Sequence, residues 1–179
     1  MKVKEILNKN NFMFKKKFGQ NFLLDQNILN NIVDLGNIDK ETLVIEIGVG
    51  AGALTKKIAP LAKNVLGYEI DKTLQNPLSE ILNEYDNIDI IYEDFLSRNI
   101  SADLKKYKYK NLVVVANLPY YITTPIITKF IEDKIDVSSI VVMVQKEVAD
   151  RFSAKPNTKD YNSLTIFLNY YFDIKKAFV

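Results

Sequence analysis

The chain has 179 residues, 47% of them hydrophobic and 26% charged, with a formal net charge of +2 and neither cysteine nor histidine. That length suits one α/β domain with a proper core better than two small ones. The two absences exclude disulfides, zinc held by thiolate or imidazole, cysteine nucleophiles and histidine bases. Any chemistry must therefore run on carboxylates, amides, hydroxyls, lysines, backbone groups or a cofactor.

The first twenty residues form a basic N-terminal segment carrying Lys2, Lys4, Lys9, Lys15, Lys16 and Lys17, and residues 21–179 are expected to be one folded domain. The polar start lacks a signal-peptide apolar stretch, and no run of 18 apolar residues follows. The expectation is a cytoplasmic protein with no membrane partner. Ile28, Leu29, Ile32 and Leu35 fall on one helical face; Thr42–Ile47 reads as a buried strand; Leu54, Ile58 and Leu61 give a helix after a glycine turn. A strand over 64–69, a helix reaching residue 85 and a strand over 88–92 come next. Pro77 fits that helix if Asn76 caps it and the proline takes the first helical position.

A second basic stretch holds Lys105, Lys106, Lys108 and Lys110 around Tyr107 and Tyr109. Charge alone leaves it open between solvated surface and a nucleic-acid contact. Beyond it lie a strand over 112–116, a helix entered at Pro125 and running to residue 132, and a strand over 140–144. Two shorter helices follow: Lys146–Phe152, and one with Leu164, Phe167, Leu168 and Tyr171 at i, i+3, i+4 and i+7.

Strands apolar on both faces and separated by helices imply a mostly parallel, doubly wound sheet, a Rossmann-like α/β fold covered on both sides. Ligands in such sheets sit beyond the carboxyl ends of the strands, near the point where strand order reverses. The unusual residues fall there. Gly48, Gly50 and Gly52 follow the first strand, Glu69 ends the second, Asp94 follows the third and Asn117 follows the fourth.

Glycines at alternate positions let a backbone turn tightly and approach a ligand closely. Taken alone the loop could be an ordinary βα turn, and it departs from the dinucleotide pattern G-x-G-x-x-G because Ala53 and Leu54 follow Gly52. A loop cradling an amino-acid-bearing nucleoside without a pyrophosphate fits its spacing better. Glu69 stands where a ribose with two free hydroxyls needs an acceptor. Asp94 can accept from an adenine amino group while Phe95 lines the ring; Asp71 reads as a surface carboxylate capping the next helix.

The most specific segment is Asn117-Leu118-Pro119-Tyr120-Tyr121-Ile122-Thr123-Thr124-Pro125. It resembles the catalytic loop of N6-adenine methyltransferases and, with leucine after the asparagine, that of the ribosomal-RNA adenine dimethylases. The N6 lone pair is delocalised into the ring and attacks poorly. Two acceptors aimed at its N–H bonds, the Asn117 side-chain oxygen and a neighbouring carbonyl such as that of Leu118, polarise it and fix its approach. Tyr120 offers a face for an unstacked adenine, worth roughly 1–3 kcal/mol. Pro119 belongs to the same catalytic loop; a plain turn with Pro119 ending a strand could explain any one of these residues but not the string.

Upstream, Lys16-Lys17-Phe18-Gly19-Gln20-Asn21-Phe22-Leu23-Leu24-Asp25 is similar to the segment preceding the sheet in the same family. By that resemblance Asn21 and Leu23 contact the methionine end of the cofactor, with Gln20 shaping the pocket. Gln145-Lys146-Glu147-Val148-Ala149 is also family-like. Asp160-Tyr161-Asn162-Ser163-Leu164-Thr165 departs from the glycine-and-arginine form, which weakens any RNA contact assigned to it.

The resemblance implies an S-adenosyl-L-methionine-dependent methyltransferase fold in residues 21–179. The implied enzyme converts adenines of small-subunit (16S-type) rRNA to N6,N6-dimethyladenosine, releases S-adenosyl-L-homocysteine, needs no metal and acts as a monomer on the small-subunit rRNA. Leucine after the asparagine and Thr124-Pro125 favour this type over the large-subunit methylases of macrolide resistance. A ribosome-assembly factor that binds RNA through the same fold is the alternative of another class; a nicotinamide oxidoreductase is disfavoured by the glycine spacing. The family also implies a last strand and a helical C-terminal domain beyond Val179, so the expectation is a C-terminally shortened chain that binds cofactor better than it methylates ribosomes, with an exposed sheet edge.

Overall fold

A computed structural model describes residues 25–117 and 122–178. Five strands, β1 (Thr42–Ile47), β2 (Asn64–Tyr68), β3 (Ile88–Ile91), β4 (Asn111–Asn117) and β5 (Ser139–Met143), form one sheet in the order β3-β2-β1-β4-β5. The β1–β2, β1–β4 and β2–β3 pairings are parallel, with Glu46 opposite Gly67 and Val115. Strand order therefore reverses between β1 and β4. Each expected strand is present within a residue or so of its expected bounds.

All six residues of β1 are buried, because the sheet is covered on both faces. One face packs Leu43, Ile45 and Ile47 with Leu66, Tyr68, Phe95 and Phe130. The other packs Val44 with Val65, Val113, and Leu29, Ile32, Leu54 and Ile58 from the covering helices. A third cluster joins Val49 and Ala51 to Leu74, Leu78, Ile81 and Leu82.

Helix α1 (Gln26–Gly36) begins at Asp25, whose carboxylate accepts from the N–H groups of Asn27 and Ile28 at 2.9 and 3.2 Å. Its buried stripe is Leu29, Ile32, Val33 and Gly36, and Leu35 is 46% exposed. This corrects the expected face. Both stripes have helical spacing, and close approach at Gly36 selects one: a Cβ there would lie 3.0 Å from Ile38 and 3.6 Å from Val113. Helix α2 (Ala53–Ile58) stops before Pro60, so Leu61 lies beyond it and is 42% exposed rather than part of its face.

Between β2 and β3, a 3-10 turn (Lys72–Leu74) leads into α3 (Gln75–Ile81). Asp71, not Asn76, caps this unit, accepting from the Thr73 N–H and hydroxyl, and it is buried rather than on the surface. Pro77 is the third helical residue, still within the first turn where its missing N–H has no partner to lose. The helix ends at Ile81, short of residue 85. A 3-10 turn (Phe95–Ser97) and α4 (Ile100–Leu104), capped by Asn99, were not foreseen; the Asn99, Ile100 and Leu104 spacing carried the signal. Helix α5 (Thr123–Glu132) starts two residues before Pro125.

The residues group into two compact units, one ending at Val142 and one from Met143 onward. The second holds α6 (Lys146–Phe152) and α7 (Ser163–Tyr171). Asn162 and Thr165 form a reciprocal cap on α7, which gives the divergent segment a structural role. The expected stripe on α7 is helical but buries chiefly Leu168; Phe167 and Tyr171 are exposed and meet edge to face at 5.3 Å. No helix among the described residues is long and apolar enough to cross a membrane.

Phe130 is 1% exposed and stacks on Phe95 at 5.5 Å inside the first cluster. Phe130→Ala is expected to cost about 3–5 kcal/mol of unfolding free energy. Urea denaturation with an unchanged m-value would show it; a loss below about 1 kcal/mol would mean this face of the sheet can collapse around the gap.

Candidate active site

The glycine loop leaves β1 at the strand-order reversal. Gly48, Gly50 and Gly52 all have positive φ, at 80°, 58° and 73°, a region that L side chains rarely enter. A Cβ on Gly48 would lie 3.6 Å from the backbone oxygen of Asn117. The end of β4 thus abuts the loop with no side chain between them.

The loop is tied to β2 by hydrogen bonds that the sequence did not reveal. Gly48 N–H donates to the Tyr68 carbonyl at 2.8 Å. Gly50 N–H donates to Glu69 Oε2 and Asp71 N–H to Glu69 Oε1, each at 2.8 Å. Glu69 is only 5% exposed. Burial holds its carboxyl above the usual range, and the two N–H donors offset only part of that rise. Each oxygen keeps lone pairs for further donors. This side chain fixes the loop.

Asp94 is exposed after β3; its Oδ1 accepts from the Leu96 N–H at 3.0 Å and caps the 3-10 turn. Phe95 is turned into the core against Tyr68 at 5.1 Å, so its ring is a packing element. Asn117 ends β4, half-buried, beside the glycine loop. The structure therefore brings the 48–52 loop, Glu69 and Asn117 to neighbouring strand ends, with Asp94 at the end of the outer strand. Asn21, Leu23, Leu118, Pro119 and Tyr120 lie outside the described residues, as does the expected boundary near residue 20.

Two of the four clustered lysines are held in ion pairs, Lys106 with Asp89 at 3.2 Å and Lys110 with Glu41. Tyr107 donates its hydroxyl to Asp89 at 2.6 Å. That stretch is in good part a braced surface.

One functional candidate was missed. Glu46 lies in β1, 1% exposed, and its Oε2 has no hydrogen-bond partner. The signal was a carboxylate inside a strand otherwise apolar on both faces. Burial pushes its pKa up to about 8; Thr55 lowers it and the Glu69 charge raises it.

The sign of the pH effect follows. Below pH 4.5 Glu46 is neutral in the folded and unfolded chain alike; above it the unfolded chain loses the proton while the folded chain keeps it to about pH 8. Stability therefore falls through that window as pH rises. Glu46→Gln is expected to match the parent near pH 4.5 and to exceed it by about 4 kcal/mol at pH 8. Chemical denaturation at the two pH values reads this, and a constant difference would mean that Glu46 is ionised in the fold.

The sequence profile of the family described as "Ribosomal RNA adenine dimethylase" matches residues 11–177. The chain belongs to this family. It is 52% identical over 171 residues to the "Ribosomal RNA small subunit methyltransferase A" of Alkaliphilus oremlandii, covering 95% of this chain and 60% of the relative. A dimethyladenosine transferase structure from Plasmodium falciparum aligns with TM-score 0.70 and 33% identity, over 82% of this chain and 51% of that one. The 23S rRNA methyltransferase ErmE aligns with TM-score 0.65 and 28% identity, over 82% and 56%. The chain thus spans about 60% of the length of the curated relative it matches. The Rossmann-like parallel sheet agrees with membership in the dimethylase family.

Proposed function

We propose that this chain carries the methyl-transfer site of an enzyme that converts adenines of small-subunit rRNA to N6,N6-dimethyladenosine. The observation that carries the reading is Asn117, first residue of Asn-Leu-Pro-Tyr, at the carboxyl end of β4 against the glycine loop. The choice of small-subunit RNA is supported by 52% identity to a small-subunit methyltransferase, against 28% to a 23S enzyme.

The residues fit S-adenosyl-L-methionine. Three glycines in positive φ leave the loop bare on the side of Asn117, and the buried Glu69 carboxylate retains acceptor capacity for two ribose hydroxyls. Asp94 accepts from the adenine amino group of the cofactor, Phe95 contributes its backbone and the firmness of its packing, and Asn21 and Leu23 hold the methionine end. When bound, this cofactor supplies an electrophilic methyl group.

The protein's own part is to orient the target. Asn117 Oδ1 and the Leu118 carbonyl accept the two N–H bonds of N6, which localises the lone pair and aims it. Tyr120 carries the unstacked base and Pro119 holds the turn. Each transfer would form one N–C bond at N6 as the sulfonium S–CH3 bond of the bound cofactor breaks, leaving S-adenosyl-L-homocysteine, with one N6 proton passing to water. No strong base is required, in keeping with a chain that has no histidine.

Two measurements test this. Calorimetry is expected to show S-adenosyl-L-homocysteine binding and no NAD binding; tight NAD binding alone would end the reading. With labelled cofactor and undermethylated small subunits, label is expected in small-subunit adenines. Asn117→Ala is expected to lower that transfer at least about 100-fold while product binding stays within a few-fold. Undiminished transfer by the variant would remove Asn117 from the chemistry, and label confined to 23S RNA would favour the large-subunit alternative.

A further inference from the structure

We propose that Gly67 is a positioning residue for the cofactor loop and that it acts through Val49. The inference rests on the reading of residues 48–52 as the cradle for S-adenosyl-L-methionine. Gly67 lies inside β2, with β1 on one side and β3 on the other, opposite Glu46 and Ile90. Its φ is not in the left-handed region, so nothing about its own backbone calls for glycine. On entropy grounds alone, alanine in a strand interior should be favourable.

Contact supplies the reason for glycine. A Cβ on Gly67 would lie 2.6 Å from Cγ2 of Val49, and 3.4 Å from Ile90 Cγ1. Val49 stands between Gly48 and Gly50 and is the loop's apolar anchor, 4% exposed and packed with Leu74, Leu78 and Ile81. Its N–H leans on the Tyr68 carbonyl at 3.4 Å, and the next N–H, that of Gly50, donates to Glu69. The loop is thus pinned to β2 at three consecutive residues, 67, 68 and 69. Gly67 supplies the side-chain seat, Tyr68 the carbonyl and Glu69 the carboxylate.

A methyl at residue 67 must displace something. β2 is hydrogen-bonded on both edges and cannot yield easily. Val49 is β-branched and stiff at χ1, and turning it drives a methyl into the α3 cluster. The loop between flexible glycines moves instead. That shift lifts Gly50 from Glu69 and opens the cradle.

The test is a double-mutant cycle on Gly67→Ala and Val49→Ala, read by calorimetric affinity for S-adenosyl-L-homocysteine and by melting temperature. Gly67→Ala is expected to weaken binding about tenfold. The double variant is expected to return to within about twofold of Val49→Ala alone. A merely structural role for Gly67 predicts the opposite, since Val49→Ala deletes core atoms and would deepen the damage. Wild-type-like binding by Gly67→Ala overturns the proposal, as does equal weakening with and without Val49. If Gly67→Ala fails to fold, the double variant must fold and bind; its failure overturns the proposal too. Failure of the parent chain to bind at all sinks the cofactor reading, and the proposal with it.

Discussion

Strand β1 has no exposed face, and the site depends on that burial. Its six residues are enclosed by β2 and β4 at the edges and by apolar clusters above and below. A one-residue slip would carry every side chain to the opposite face, so the register is fixed from both sides. The strand therefore delivers Gly48 to a fixed point, beside the end of β4, where the strand order reverses. The same burial leaves the Glu46 carboxyl without a partner for Oε2. A feature that locks the loop also confines an ionisable group in a place that favours its neutral form.

The loop itself is soft in sequence and firm in place. Three glycines in positive φ give it reach but no rigidity of their own. Firmness comes from β2 and the residue after it: the Tyr68 carbonyl, Oε2 of Glu69, whose other oxygen is held by the Asp71 N–H, and the apolar anchoring of Val49. An acceptor already held by backbone N–H groups binds a ligand with less ordering left to do. Glu69 thus braces the loop, a role that the sequence pattern, which offered it only as a ribose acceptor, did not show.

How much of this was legible varies from feature to feature. The order of strands and helices was readable because β1, β2 and β4 are mostly apolar on both faces and the helices between them keep a 3.6-residue period. Finer placement was not. Ile28, Leu29, Ile32 and Leu35 make as good a stripe as Leu29, Ile32, Val33 and Gly36, and only the contact of Gly36 with Ile38 and Val113 decides between them. Phe95 read as a ring beside a ligand and is a ring in the core, because an aromatic after a strand end has the same sequence signature in either role. The short α4 escaped notice since five residues hold one repeat only, so its signal was confined to the Asn99 cap and the Ile100 and Leu104 spacing.

The sequence by itself determined the chemistry available: no histidine or cysteine, a glycine-rich turn after an apolar strand, acids after the second and third strands, and Asn-Leu-Pro-Tyr after the fourth. These follow from composition and local spacing, which chain order preserves. Only the tertiary structure decided that Glu69 grips Gly50, that Glu46 is buried without a partner, and that Gly67 must lack a side chain for Val49 to lie where it does. Each of these joins residues 18 or 19 positions apart or depends on what covers a face. Such distances are set when parallel strands pair and helices close over them, and no local pattern in the chain encodes them.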